Sequence, residues 1–215
     1  MHIEKRKKIM LYLIGAIAIG FLLITAFVFF FPNSFIDREF SEEVQEHQNP
    51  LLDLLMKGIS YLGYMPYAAI MVVVAALLFY LFKYKREALF VVLTSLSGLV
   101  SSAIKLVIDR PRPSEPSVKI LVKTTQQSFP SGHVLFYVIF FGFVALLMFE
   151  LKSIPKYISR SIAVICLLLV FTIPYSRVYL GAHWFTDVTA GFFLGVICLY
   201  VLGLIYLKPK RAIKS

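Results

Sequence analysis

The sequence from Ile9 to Phe31, IMLYLIGAIAIGFLLITAFVFFF, contains 23 residues and not one charged side chain. A helix needs about 20 apolar residues to cross the hydrocarbon core of a bilayer, so this stretch is long enough to span it. It follows four basic residues, as the apolar part of a signal peptide does, but that part is only about 7 to 15 residues long. We therefore expect a permanent first membrane span.

The rest of the chain has the same apolar character. Of its 215 residues, 59% are hydrophobic and 16% are charged, whereas about a quarter are charged in an ordinary soluble domain. Five further apolar runs follow the first: Tyr67–Phe82, Ala88–Ile108, Val134–Leu151, Tyr157–Ile173 and Trp184–Leu207. These features exclude a soluble protein, and the two cysteines, both inside apolar runs, exclude a disulfide-stapled scaffold. The sequence predicts an all-α, polytopic membrane protein with a six-transmembrane-helix bundle, in which residues 1–215 form one domain.

The segment between the first two apolar runs, residues 32–64, has a different pattern. Residues 32–50 are polar and acidic, which we interpret as a loop outside the membrane. In residues 51–64 polar side chains recur at intervals of three or four: Asp53, Lys57, Ser60 and Tyr64. Leucines and isoleucines occupy the opposite side, so this pattern predicts an additional amphipathic helix lying in the membrane interface. The sequence does not indicate its role.

Basic residues are unevenly distributed among the connections. The two termini and the second and fourth connections carry 14 of the 22 Lys and Arg residues. Six spans place these four segments on one side, and Lys and Arg accumulate on the cytoplasmic side of a cell membrane. We therefore expect both termini in the cytoplasm. The net charge of +10 follows from this topology, so we expect membrane lipids and no nucleic acid as partners. The oligomeric state is open.

Unusual polar residues are concentrated at the extracytoplasmic ends of the later spans. The third span ends with Lys105 and Arg112, the fourth begins with Pro130-Ser131-Gly132-His133, and the turn into the sixth contains Arg177, His183 and Asp187. The expected topology brings all of these residues to one membrane surface.

His183 and Asp187 are four residues apart, so at the start of a helix they share a face. The carboxylate can then accept a hydrogen bond from one imidazole nitrogen and leave the other lone pair free, which suits a nucleophile or a metal ligand. Besides His133 the chain has only His2 and His47 as further histidines, and no acidic or cysteine cluster completes a metal site. We therefore favour a nucleophile and expect no metal.

The basic residues at this surface suit an anion. Lys105, Arg112 and Arg177 provide three cations, while Ser131 and Gly132 provide backbone N–H groups at a helix N-terminus. Phosphate oxygens are bound by this combination of guanidinium, ammonium and backbone donors. A single basic residue at a helix end commonly only reaches toward the interface, so the indication comes from their coincidence on one face.

The same residues match a three-part signature, and the sequence resembles the type-2 phosphatidic acid phosphatases, also called lipid phosphate phosphatases. The matching segments are Lys105, six residues, Arg112-Pro113; Pro130-Ser131-Gly132-His133; and Ser176-Arg177, five residues, His183, three residues, Asp187. No specified residue or internal spacing departs from the signature, which covers residues 105–187.

The resemblance implies a metal-independent membrane phosphatase without a cofactor, which hydrolyses the phosphate or diphosphate monoester of a lipid at the extracytoplasmic face. It implies three catalytic roles: His183 attacks phosphorus and forms a phosphohistidine, Asp187 orients His183, and His133 protonates the leaving oxygen. It also implies a set of phosphate-binding residues: Lys105, Arg112, Ser131, Gly132 and Arg177.

The substrate and the reaction class are not fixed by these residues. The family includes enzymes for phosphatidate, phosphatidylglycerol phosphate and undecaprenyl diphosphate, and nothing in the sequence selects among them. Transfer of the phosphoryl group to an acceptor lipid is an alternative to hydrolysis. A lipid-phosphate binding or transport protein without turnover is another, although such a protein needs the cations and not two histidines. A channel is disfavoured because the polar residues do not continue across the bilayer.

Overall fold

The computed structural model describes residues 2–116 and 118–208, with side chains from residue 4 onward, and the regular structure of these residues is helical throughout. The helices are α1 (His2–Phe30), α2 (Phe35–Gln45), α3 (Pro50–Tyr61), α4 (Tyr67–Leu81), α5 (Lys85–Leu93), α6 (Ser97–Ile108), α7 (Gly132–Glu150), α8 (Lys156–Tyr179) and α9 (Phe185–Leu207). A short 3₁₀ turn, Thr94–Leu96, joins α5 to α6.

Five helical segments are long and apolar enough to cross a membrane: α1, α5 together with α6, α7, α8 and α9. The predicted all-α, multi-pass membrane architecture is therefore confirmed. The helix of the second apolar run, α4, has 15 residues and a length of about 22 Å, less than the roughly 30 Å of a hydrocarbon core. Three of the basic residues used to place the C-terminus, Lys210, Arg211 and Lys214, lie outside the described residues.

Helix α7 is the centre of the bundle. Its sequence is apolar on every side, which is typical of a fully buried helix, and 67% of its span is buried, against 6–28% in the other four. It packs against α8, α9 and α6, and Val134, Tyr137 and Phe143 form part of the core between them. The N-terminus of α7, which carries the second signature segment, is thus held on three sides.

The segment interpreted as a loop, residues 32–50, is largely helical, and this part of the prediction is wrong. Residues 35–45 form α2, and Asp37 in its first turn is buried together with Ser41. A carboxylate in the first turn of a helix is favourable because it faces the positive end of the helix dipole. The acidic composition therefore reflects a helix that carries one inward-facing carboxylate.

The predicted amphipathic helix corresponds to α3. The Asn49 side chain caps it by accepting a hydrogen bond from the backbone N–H of Leu52 at 2.9 Å. The polar side faces the protein: Ser60 Oγ lies 2.9 Å from Ser176 Oγ on α8. Met56 is buried on the same side as Ser60, whereas Lys57 is exposed. Several leucines are exposed on the other side, so α3 covers the end of α8 and leaves an apolar surface uncovered.

Candidate active site

A cavity of about 600 Å³ lies between α4, α6 and α7 and reaches the turn between α8 and α9. Its polar end brings together residues from all three signature segments: Lys105, Arg112, Gly132, His133, Arg177 and His183. Its other end is largely apolar and includes Ala68 and Val72 of α4 and Phe136 of α7. The cavity therefore joins a cationic site to a surface suited to hydrocarbon.

His183 lies just before α9 and is 2% exposed. Its Nε2 is 3.3 Å from the Arg112 guanidinium, and its Nδ1 is 3.5 Å from Ser128 Oγ. Burial, together with the neighbouring cations, lowers the pKa of His183 well below its usual range, so the imidazole is neutral at neutral pH. With its proton on Nδ1, beside Ser128 and Asp187, the lone pair of Nε2 is on the side of the cavity cations.

Asp187 is fully buried in the first turn of α9. Its Oδ2 accepts hydrogen bonds from the Trp184 backbone N–H, at 2.9 Å, and from the Ser128 hydroxyl. The closest approach to His183 is 3.6 Å, from Oδ2 to Nδ1, which is a charge contact and not the hydrogen bond that we expected. The reason is that α9 begins at Phe185, so His183 does not share its helical face. Asp187 therefore lies beside His183 without a direct hydrogen bond, and Ser128 is next to both groups.

Arg110 was not identified as a site residue from the sequence, yet it is fully buried and holds Asp187 in place. Its Nη1 donates to Asp187 Oδ1 at 2.6 Å and to Thr186 Oγ1 at 2.7 Å. Its Nη2 donates to Asp37 Oδ2 of α2 at 2.6 Å. Two carboxylates thus neutralise Arg110, while Arg112, two residues later, faces the cavity.

The three cations at the cavity, Lys105, Arg112 and Arg177, form no ion pair within residues 4–116 and 118–208. Lys105 and Arg112 donate to main-chain carbonyls, and Arg177 Nη1 donates to Ser60 Oγ at 3.1 Å and to the Tyr64 hydroxyl at 2.9 Å. Burial lowers the pKa of Arg112 to about 10, which leaves it protonated at neutral pH. All three positive charges are therefore available to an anion.

Arg177 also has hydrogen-bond donors for which the described residues provide no acceptor. It is fully buried, and its Nε and Nη2 have no hydrogen-bond partner among the described residues. Buried guanidinium donors are costly unless they are satisfied, so these two groups indicate a ligand with acceptor oxygens.

The second signature segment forms the start of α7. Ser131 is held against α9, since its backbone N–H donates to the Asp187 carbonyl at 3.1 Å, and a Cβ on Gly191 would lie only 2.8 Å from the Ser131 carbonyl oxygen. That N–H is therefore not free for an anion, contrary to our expectation. The His133 ring contacts Tyr64 edge-on, with centroids 4.5 Å apart, and His133 Nε2 has no protein partner among the described residues.

The donor set suits an anion and does not suit a metal cation. No carboxylate lines the cavity, and within the part of the chain that the structure describes no three His, Cys, Asp or Glu side chains are grouped as metal ligands would be. A metal ion would have to bind beside three unneutralised cations, which repel it.

Comparison with known proteins agrees with this geometry. The sequence profile of the PAP2 superfamily matches residues 86–211. Phosphatidylglycerophosphatase B of Bacillus subtilis (strain 168) is 29% identical over 166 residues, which cover 76% of this chain and 80% of that protein. Lipid phosphate phosphatase delta of Arabidopsis thaliana is 32% identical over 168 residues, which cover 73% of this chain and 39% of the plant protein.

Two crystal structures share the fold. A transmembrane PAP2-type phosphatidylglycerolphosphate phosphatase from Bacillus subtilis superimposes with a TM-score of 0.80, at 24% identity, over 93% of this chain and 98% of that one. Aquifex aeolicus LpxE superimposes with a TM-score of 0.61, at 22% identity, over 80% of this chain and 97% of that one. The profile covers more than half of the sequence, and the resemblance drawn from the three signature segments is confirmed: the chain belongs to the PAP2 superfamily.

Proposed function

We propose that this protein is a metal-independent lipid phosphatase that removes a phosphate group through a phosphohistidine on His183. The observation that carries the proposal is a neutral, buried imidazole beside the Asp187 carboxylate, at the cationic end of a cavity whose other end is apolar. The relatives named phosphatidylglycerophosphatase and lipid phosphate phosphatase support the substrate class, as does a relative named undecaprenyl-diphosphatase.

In the first step His183 Nε2 attacks phosphorus and the bond from phosphorus to the ester oxygen breaks. His133, which is protonated when the anionic substrate is bound, donates its proton to the departing oxygen, which leaves as an alcohol, and is itself left neutral. The negative charge that develops on the phosphoryl oxygens is stabilised by Lys105, Arg112 and Arg177, which all line the cavity. Asp187 compensates the positive charge on the phosphorylated imidazole.

In the second step water attacks phosphorus, His133 accepts a proton from it, and the bond to His183 breaks. Inorganic phosphate is released and the imidazole returns to its neutral form. In this two-step mechanism His133 acts first as an acid and then as a base, as microscopic reversibility requires of a two-step displacement.

A lipid substrate follows from where the cavity lies. Lys105 is in the last turn of α6 and His133 is in the first turn of α7, so both are at the ends of membrane-crossing segments. Phosphate bound there sits at the membrane surface, and its apolar chain continues past Ala68, Val72 and Phe136. We further propose, from the distribution of Lys and Arg, that this surface is extracytoplasmic and that both termini are cytoplasmic.

The test is phosphate release by purified, detergent-solubilised protein from phosphatidate, phosphatidylglycerol phosphate and undecaprenyl diphosphate, each with and without chelator. Release should persist in chelator and vanish in His183→Ala, while the exposed His47→Ala serves as the matched control with full activity. Release by His183→Ala would refute the nucleophile, and loss in chelator would refute the metal-independent mechanism. Lipid binding without release would indicate a binding protein, and labelled phosphate recovered in a second lipid would indicate a transferase.

A further inference from the structure

One face of α6 is lined with hydroxyl groups beneath the phosphate site. Ser97, Ser101 and Lys105 are spaced by one helical turn, are 5%, 5% and 6% exposed, and all border the cavity. At 1.5 Å rise per residue, Ser101 lies about 6 Å below Lys105 along the helix and Ser97 about 12 Å below it. The cavity wall closest to the phosphate is therefore polar before it becomes apolar.

The Ser101 hydroxyl has no protein partner. It is buried, and its Oγ makes no hydrogen bond to any residue the structure describes. Two threonine hydroxyls in other membrane helices bond back to the carbonyl four residues earlier: Thr25 Oγ1 donates to Phe21 O at 2.8 Å, and Thr172 Oγ1 to Leu168 O at 2.7 Å. That bond is the ordinary way to satisfy a hydroxyl in an apolar helix, and Ser101 does not make it.

The backbone next to this hydroxyl leaves a small gap. Gly132 stands opposite, and a Cβ at that position would lie 3.1 Å from Ser101 Oγ. Apart from Ser101, no atom would lie within 4 Å of that Cβ, so the absence of a side chain at Gly132 leaves unfilled space beside the buried Ser101 hydroxyl at the cavity wall.

We propose that Ser101 is a specificity-determining residue that hydrogen-bonds the ester or hydroxyl oxygen adjacent to the phosphate of a glycerol-based lipid. The inference rests on the proposed lipid phosphatase function. A glycerol phosphate carries oxygen on the second carbon from the phosphate ester, within the one-turn distance between Lys105 and Ser101. A polyprenyl phosphate has only hydrocarbon there, so it would leave the Ser101 hydroxyl unsatisfied. The cavity thus favours glycerol-linked substrates.

The experiment compares two single-chain substrates that differ only in this linker: 1-oleoyl-glycerol 3-phosphate and oleyl phosphate. Initial rates in detergent give kcat/KM for the unmodified protein and for Ser101→Ala. The control is Ser159→Ala, because Ser159 is also buried in a membrane helix, also lacks a partner among the described residues, and does not border the cavity. Circular dichroism and thermal unfolding verify that each variant is folded.

The unmodified protein should prefer the glycerol phosphate. Ser101→Ala should lower kcat/KM for that substrate by about three- to tenfold, the effect of one hydrogen bond, and should leave oleyl phosphate within about twofold. Ser159→Ala should keep both rates and their ratio. Equal losses on the two substrates, or an unchanged ratio in Ser101→Ala, would overturn the role of Ser101 while leaving the phosphatase intact. Absence of release from both substrates in the unmodified protein would overturn the proposed function itself.

Discussion

Arg110 and Arg112 are two residues apart in the sequence, and the structure predicts that their removal has opposite consequences. In Arg110→Gln the carboxylates of Asp37 and Asp187 lose their shared cation while both stay buried. Removing one partner of a buried ion pair costs about 3–5 kcal/mol because the remaining charge is uncompensated. Since whole-domain stabilities are about 5–15 kcal/mol, Arg110→Gln should lower the unfolding temperature strongly and lose activity with it.

In Arg112→Gln the fold keeps its ion pairs, because Arg112 donates to main-chain carbonyls and not to a carboxylate. What is lost is one of three positive charges facing the phosphoryl group. Removing one such donor from a preorganised site lowers kcat by about 10²- to 10³-fold. The unfolding temperature should stay close to that of the unmodified protein.

Both variants are measured in the same detergent by thermal unfolding and by phosphate release at saturating lipid substrate. Arg110→Lys and Arg112→Lys serve as charge-conserving controls, and each should recover part of what the glutamine variant loses. The reasoning is refuted if Arg112→Gln unfolds as early as Arg110→Gln, or if it retains full activity. Full activity and an unchanged unfolding temperature in Arg110→Gln would show that the buried network does not hold Asp187.

Three further outcomes are expected. Asp187→Asn should lower kcat by about 10²- to 10⁴-fold, with a smaller change in KM. Steady-state kinetics measure both values, and an unchanged kcat would contradict the role of the Asp187 charge. Because burial and nearby cations lower the pKa of His183, its reactive neutral form persists in acid. Since the proposed acid, His133, acts in its protonated form, kcat/KM should not fall as the pH falls through about 6.5. A pH–rate profile with an acid limb centred at 6.5 or higher would be inconsistent with this. Gly63→Ala should reduce kcat because its Cβ would lie 2.3 Å from His133 Cδ2. Gly58→Ala, where a Cβ meets nothing within 4 Å, should keep full activity in the same assay.

The sequence predicted the residues whose chemistry is unusual for a membrane helix end. Lys105, His133 and Arg177 lie within or next to the ends of long apolar runs, so their positions predict a common surface. The helical spacing of the polar residues in 51–64 likewise predicted α3. Periodicity shows only that these polar side chains share a face. It did not reveal that Tyr64, just beyond the helix, would contact Arg177.

Asp37 and Ser128 could not be found in the same way. Asp37 lies in an acidic segment where one carboxylate looks like its neighbours, and only its contact with Arg110, 73 residues away, distinguishes it. Ser128 precedes the second signature segment in a stretch without regular secondary structure, so no periodicity fixes its direction. The i, i+4 interpretation of His183 and Asp187 assumed a helix that in fact starts two residues after His183. A local sequence pattern predicts neither contacts between distant residues nor the exact residue at which a helix begins.

The cations around His183 have two effects: they attract a phosphate, and they keep the imidazole neutral. Asp37 and Asp187 both form ion pairs with Arg110, whereas among the described residues no carboxylate forms an ion pair with Lys105, Arg112 or Arg177. The positive field that attracts a phosphate therefore also disfavours protonation of His183, and the imidazole that meets the substrate still has its lone pair. If Asp187 were free of Arg110, its charge would act more strongly on His183, favour the imidazolium form and weaken the nucleophile. In the proposed mechanism, the ion pair with Arg110 holds Asp187 beside His183, where its charge compensates the phosphorylated imidazole.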